Sequence, residues 1–354
     1  MKRKCFLSFF TLMICTLGFA ASDADIALFN AVKVKRLDLV NAYVHSANAN
    51  ARFQWAGKSM TTFQMALENE DVNIAKVLIA DGNADVNAGW EDVPPIFIAI
   101  RKNLSEMVDL LASSGANLTA IFQDATPLMY CYKLSKGEPS SCADILVRKF
   151  SDNLDWGYKD KDGNTVMHLA AMGGNAGVMN FLLTEKKSRT SELLRIRNSE
   201  NVTPIGIYIF NAVARNELAG GLLLNFLFTA ATSTPVTISD FNLPASSMQD
   251  NGIFLVGDTN LIDESHKLIF FTTLLKGNTN KKLAAERDSF NVPLLCHAIE
   301  NEWNPEIVEL LIRRYGERWK TIRSSGINGK NAIETMRSNR SEDLYQDIFN
   351  AYSN

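Results

Sequence analysis

The 354-residue chain is poor in the residue types that carry most chemistry: it has 5 cysteines and 4 histidines. Cys5 and Cys15 fall in an N-terminal apolar stretch, which leaves Cys131, Cys142 and Cys296 for the body of the chain. So low and odd a count excludes a disulfide framework. Cys131 and Cys142 can pair in an oxidising compartment, with buried free thiols as the default expectation. None of His45, His168, His266 and His297 stands at metal-ligand spacing from another histidine or a cysteine pair, and the adjacent Cys296 and His297 point apart on a helix. No serine, cysteine or threonine sits in a nucleophile elbow, and no phosphate loop is present. The acidic pairs Asp160/Asp162 and Glu68/Glu70 read as solvent-facing turns and helix ends, without the cleft that paired-carboxylate catalysis needs. These absences predict no catalytic residue, no cofactor and no metal.

Excess charge of either sign is also missing. The formal net charge is -3, and it becomes about -6 once Lys2, Arg3 and Lys4 are removed. Nothing in that balance attracts nucleic acid or an anionic membrane. The one long apolar run follows those three basic residues, from Cys5 to about Phe19, and ends in the small residues Gly18, Ala20 and Ala21. It is shorter than a membrane span and has the layout of a secretory signal peptide, with cleavage expected after Ala20 or Ala21. The expectation is therefore export by a bacterial cell, to the periplasm or beyond, and no membrane association in the mature form.

What the chain does have is internal repetition. The segment from Asp162 to Leu183 reads as a turn, a short helix opening at Thr165, a Gly173-Gly174-Asn175 reversal and a second helix. Such a pair is too small to bury its own apolar stripe, so it implies neighbours of the same kind. Frames similar to Thr165–Ala171 start at Thr61, Pro94, Thr126, Thr203, Val292 and Asn331, giving successive spacings of 33, 32, 39, 38, 89 and 39. Threonine at a helix entrance can cap free N–H groups, and Pro127 and Pro204 suit the first helical position. Gly82 and Gly115 follow second helices, where a left-handed cap is expected.

This pattern resembles the ankyrin repeat family, whose TPLHxAA, VxxLL and GADVNA elements are matched best by Thr165 to Ala171, Met107 to Leu111 and Asn83 to Ala88. The resemblance implies an all-α solenoid of about eight helix-turn-helix units with short hairpin fingers. It also implies a structural role for His168, hydrogen bonding between hairpins. The expected layout is a signal peptide over 1–21, repeats over 22–228, a loop insertion over 229–258, and degenerate and C-terminal repeats over 259–354. Within the last part, Leu261 to Leu275 has the spacing of the second helix of a degenerate repeat. The basic, aromatic stretch Arg313 to Arg323 reads as a solvated capping face.

Large aromatics recur just before the helix frames: Trp55, Trp90, Phe122 and Trp156 with Tyr158, at spacings of 35, 32 and 34. In an ankyrin-like array these positions fall on the fingers, where a row of rings can either anchor a partner or pack to stiffen the array. The expected function is recognition of a partner protein on the concave face and fingers, by a monomer that is not an enzyme. Two other readings stay open at this stage: a structural envelope component without one tight partner, and a hydrolase with its site in the 229–258 insertion.

Overall fold

The computed structural model describes residues 21–89, 93–185, 190–230, 236–247, 251–275, 283–324 and 329–353. The expected leader, up to residue 20, and Trp90 lie outside these residues. The fold is an all-α repeat solenoid. No described helix is long and apolar enough to cross a membrane. The chain divides into two compact units, one of residues up to 131 with 140–155, the other of 132–139 with 156–354.

In the first unit, α1 (Asp23–Lys33), α3 (Thr62–Glu68) and α5 (Pro95–Arg101) are the first helices of successive pairs, and α2 (Leu37–Tyr43), α4 (Val72–Ala80), α6 (Ser105–Ser113) and α8 (Ser141–Phe150) are the second helices. Each layer stacks on its own kind: α1 on α3 on α5, and α2 on α4 on α6 on α8. The two layers bury different faces. From Thr62 to Leu67 every residue of α3 is buried, whereas α4 buries Ile74, Ala75 and Leu78 and leaves its other face to solvent. That is the amphipathic stripe expected of an outer helix, while an inner helix covered on several sides is apolar all round. Each fully buried Leu, Ile or Phe contributes about 1.5–3 kcal/mol to holding neighbouring pairs together. The helix α7 (Pro127–Ser135) starts in this unit and ends in the other.

One two-stranded sheet is described, β1 (Arg52–Trp55) paired antiparallel with β2 (Lys58–Thr61). Its turn residues Ala56 and Gly57 both have positive φ, 51° and 79°, as a hairpin turn matching strand twist requires. Gln123 and Asp124 repeat that conformation at 48° and 56°, with Phe122 and Ala125 exchanging backbone hydrogen bonds across them. The left-handed residue after α4 is Asn83, not Gly82. Gly82 is required for a different reason, because a Cβ there would lie 2.9 Å from a Val44 methyl.

The second unit continues the plan with α9 (Val166–Met172) and α10 (Ala176–Glu185), a single turn α11 (Thr190–Leu193), then α12 (Pro204–Ala214) and α13 (Gly220–Ala230). It ends with α14 (Gly252–Asp258) and α15 (Glu264–Leu275), α16 (Leu294–Glu300) and α17 (Pro305–Tyr315), and α18 (Ala332–Asn339) and α19 (Glu342–Ser353). The described residues thus hold nine helix pairs, against the expected about eight repeats with the degenerate one already counted, and that degenerate repeat is complete. Its first helix is α14, inside the stretch expected to be loop, and it packs on α12 as α15 packs on α13. Asn251 caps α14, accepting the Ile253 N–H at 3.1 Å, in the position where Thr61, Thr165 and Thr203 stand in their own copies. The helix contains Gly257, where a Cβ would lie 2.0 Å from the Trp303 ring, so the close approach of the indole demands glycine. The remainder of the insertion includes a 3-10 turn, Ile238–Phe241.

The basic stretch near the C-terminus also proves more structural than expected. Trp319 is buried and stacks on Phe349 with centroids 5.2 Å apart.

Candidate partner-binding groove

Three fingers of the second unit are built on one local device. In each, the side-chain Oδ1 of an Asp or Asn accepts the N–H groups two and four residues on. Asp160 takes those of Asp162 and Asn164 at 3.1 and 2.8 Å. Asn198 takes those of Glu200 and Val202 at 3.1 and 3.0 Å. Asp288 takes those of Phe290 and Val292, both at 2.9 Å. Short polar side chains favour turns for this reason. Asp160 is therefore buried and paired with Lys133 at 3.3 Å, not solvent-facing as its sequence context suggested. Asp162, Glu200 and Phe290 occupy equivalent fingertip positions, all exposed, Phe290 to 68%.

Successive fingers are cross-linked by polar side chains. His168 is fully buried; its Nδ1 accepts the Thr165 N–H at 3.1 Å, and its Nε2 lies 3.2 Å from the Val202 carbonyl of the next finger. These partners fix the neutral tautomer with the proton on Nε2, and burial pushes the pKa down to about 4. The histidine is structural, as its frame position implied. Asn198 adds a bond to Asn164 Oδ1 at 3.0 Å.

The insertion folds onto the next copy. Buried Asp240 pairs with Arg195 at 2.8 Å and Arg197 at 3.0 Å, and its backbone carbonyl accepts the Thr203 hydroxyl at 2.6 Å. The Ala245 N–H reaches the Glu200 carboxylate at 3.2 Å, so the insertion also grips a fingertip. Gly206 opens the path: a Cβ there would sit 2.0 Å from the Asn242 carbonyl oxygen.

Between these parts lies an open groove of about 430 Å³. The finger residues Asp162, Asn164 and Asn198 to Glu200 form one side, Met172 of α9 with Ile207, Phe210 and Asn211 of α12 form the floor, and Pro244 and Ser246 close it. Met172 is 38% exposed, a large apolar side chain left uncovered at the end of an otherwise buried helix. The groove is thus apolar below and polar at its rim, as recognition sites tend to be. Sequence reasoning missed it; its one legible sign is glycine at the fourth position of the Thr203 frame, where the Thr165 frame has His168.

Among the described residues the finger aromatics do not form the continuous exposed row that a set of anchors requires. Trp55 is 40% exposed, with the Lys33 ammonium 3.5 Å from its ring centroid. Phe122 is half-buried in a cluster with Phe97 and Tyr130, at centroid distances of 5.3 and 5.8 Å. Trp156 is 3% exposed, and Tyr158 is half-buried. Packing accounts for Phe122 and Trp156. Cys131 and Cys142 are free and buried, and burial raises both thiol pKa values, that of Cys142 to about 11.

A second polar cluster joins the degenerate repeat to its successor. His297 Nδ1 lies 2.9 Å from Asp288 Oδ2, and its Nε2 lies 2.9 Å from Asp258 Oδ2. Both nitrogens face carboxylates, an arrangement that favours the imidazolium, in which both donate. Burial works against that charge, but Asp258 and then Asp288 outweigh it, and the pKa is raised. Trp303 donates its indole N–H to Asp258 at 2.8 Å, and Phe254 packs edge-on to the imidazole. His297 stands two positions beyond the histidine place of its frame, so the repeat pattern assigns it nothing.

A family model described as ankyrin repeats in three copies matches residues 28–122, and a single ankyrin repeat matches residues 162–191. The chain carries ankyrin repeats. No curated protein matches it. Ankyrin repeats are in general protein–protein interaction modules, and proteins built from them are typically non-enzymatic.

Proposed function

We propose that this chain is an exported, monomeric and non-enzymatic module that recognises a partner protein through the groove between its fingers and first helices. The observation that carries the reading is the groove itself, with exposed Met172 on its floor and fingertips Asp162 and Glu200 at its rim. A surface contributed by two successive repeats and an insertion is extended and open, a shape suited to a polypeptide rather than to enclosing a small substrate. Export rests on the basic-apolar-small order of the first 21 residues, and the net negative charge disfavours nucleic acid. Trp55, with its exposed ring, is a further candidate contact; Trp90 and Tyr158 keep that candidacy on their finger positions alone.

Affinity capture tests this. The full chain and its Met172→Glu variant are immobilised side by side, with the outer-helix variant Leu344→Glu as control. A protein retained in stoichiometric amount by the wild type and the control but lost from Met172→Glu is the expected result. Identical prey on all three surfaces would refute the groove as the binding face.

A further inference from the structure

The groove has a charge character that narrows its partner. Among the described residues its lining includes two carboxylates, Asp162 and Glu200, and no lysine or arginine. Glu200 gives one oxygen, Oε2, to the Ala245 N–H, while its Oε1 and the Asp162 carboxylate have no hydrogen-bond partner among the described residues. Of the cations of this region, Arg195 and Arg197 hold Asp240, Lys133 holds Asp160, and Lys159 reaches the Arg197 carbonyl, while Lys161 flanks Asp162 in sequence. The rim therefore places the two carboxylates of Asp162 and Glu200 beside the apolar side chains of Met172 and Phe210. A lysine or arginine side chain has these two characters in the same order, an aliphatic stem that packs on apolar surface and a cationic head that bonds carboxylates. A phosphate-bearing ligand has neither.

We propose that the groove binds a lysine- or arginine-bearing segment of its partner protein, with the stem of that residue on Met172 and Phe210 and its cationic head against Asp162 and Glu200. This rests on the binding reading above and specifies its chemistry. Asp162 and Glu200 reach the same cleft because they are equivalent fingertips of successive repeats, each held by the Asx turn before it. The insertion sets the far wall through Pro244 and Ser246, so the cleft ends where α12 meets Asn242.

Three fluorescein-labelled octapeptides serve as probes: leucine alternating with lysine, with glutamine or with glutamate. Binding to the full chain is followed by anisotropy at about 50 and about 300 mM salt, which separates screened rim charge from buried contact. The lysine peptide is expected to bind at least about tenfold more tightly than the glutamine peptide, and the Asp162→Asn/Glu200→Gln double variant to lose that preference. Glu200→Gln keeps an acceptor for the Ala245 N–H, so the insertion stays in place. Equal binding of the three peptides overturns the cationic assignment; if Met172→Glu then abolishes all three, the groove still stands as a protein-binding face. A lysine preference that survives in the double variant, or no binding of the lysine peptide, also overturns the assignment and leaves the capture experiment to judge the broader reading.

Discussion

Replacing His297 with alanine is the sharpest test of how the second unit is held together. The imidazolium bridges Asp258 at the end of α14 and Asp288 in the following finger, while Trp303 before α17 bonds the same Asp258. The side chains of His297 and Asp288 are 8% and 2% exposed. Removing one member of a buried ion pair costs roughly 3–5 kcal/mol, because a charge is left without compensation. Here Asp288 keeps two backbone donors on its other oxygen, and Asp258 is 31% exposed and keeps the indole. The loss should therefore lie at the lower end, about 3 kcal/mol. In a repeat array such a loss uncouples neighbours rather than lowering all copies equally. Urea unfolding followed by tryptophan fluorescence and helical circular dichroism should show an early transition in the variant, and amide exchange should quicken over 283–353.

The pH dependence supplies a second arm for the same variant. The folded pKa of His297 is raised above the unfolded value. The stabilisation is then complete below about pH 6.5 and is lost as pH rises through the higher folded value. Wild-type stability should decline on that alkaline side, and His297→Ala should not share the decline. A variant within about 0.5 kcal/mol of wild type at pH 6, or one that falls in parallel with it as pH rises, would refute the assignment of a stabilising imidazolium.

Two further outcomes follow from particular contacts. Gly206→Ala places a methyl against the Asn242 carbonyl oxygen and should destabilise by about 1–3 kcal/mol, with faster proteolysis across 236–251 and unchanged exchange in α9 and α10. His168 has the opposite linkage to His297: its pKa is depressed to about 4, so its stabilisation is present above about pH 6.5 and falls by up to about 3 kcal/mol as the medium is acidified towards pH 4. His168→Gln, which does not titrate, should flatten that acid limb in denaturant titrations run between pH 4 and 7.

The helix frames and their caps were legible because they depend on residues close in sequence. Thr61 with Gln64 and Asn331 with Glu334 form reciprocal capping boxes, each a three-residue signal. The degenerate repeat escaped because its reasons are distant. Asn251 caps α14 without the threonine-proline signature, and Gly257, a poor helix former, is there for the ring of Trp303, which lies 46 positions further on. Taking Asn251 as a frame splits the gap between Thr203 and Val292 into 48 and 41 residues, neither close to the base period. The groove was hidden for the same reason: the backbone of the insertion, rather than a recognisable motif, forms its wall. Aromatic spacing located Trp55 and Phe122 beside equivalent tight turns, but spacing carries no information on which ring a neighbour will cover.

The fourth position of the frame shows how one requirement is met by unlike residues. At Gln64 the amide accepts the Thr61 N–H and donates to the Ala88 carbonyl of the next finger at 2.7 Å. At His168 an imidazole does both tasks, to Thr165 and Val202. Phe97 replaces the polar link with a ring contact to Phe122, again one finger on. At Gly206 the side chain is absent and the Asn242 backbone enters its place, so the insertion becomes the next finger. At Glu334 an acceptor-only carboxylate takes the Asn331 N–H at 2.8 Å and Arg323 at 3.3 Å. At Gln64, Phe97, His168 and Gly206 the position meets the following finger, and the residue found there reports what that finger offers. The glycine at 206 is therefore the place where the array exchanges a side-chain link for a backbone wall, and the groove with its two carboxylates begins at that exchange.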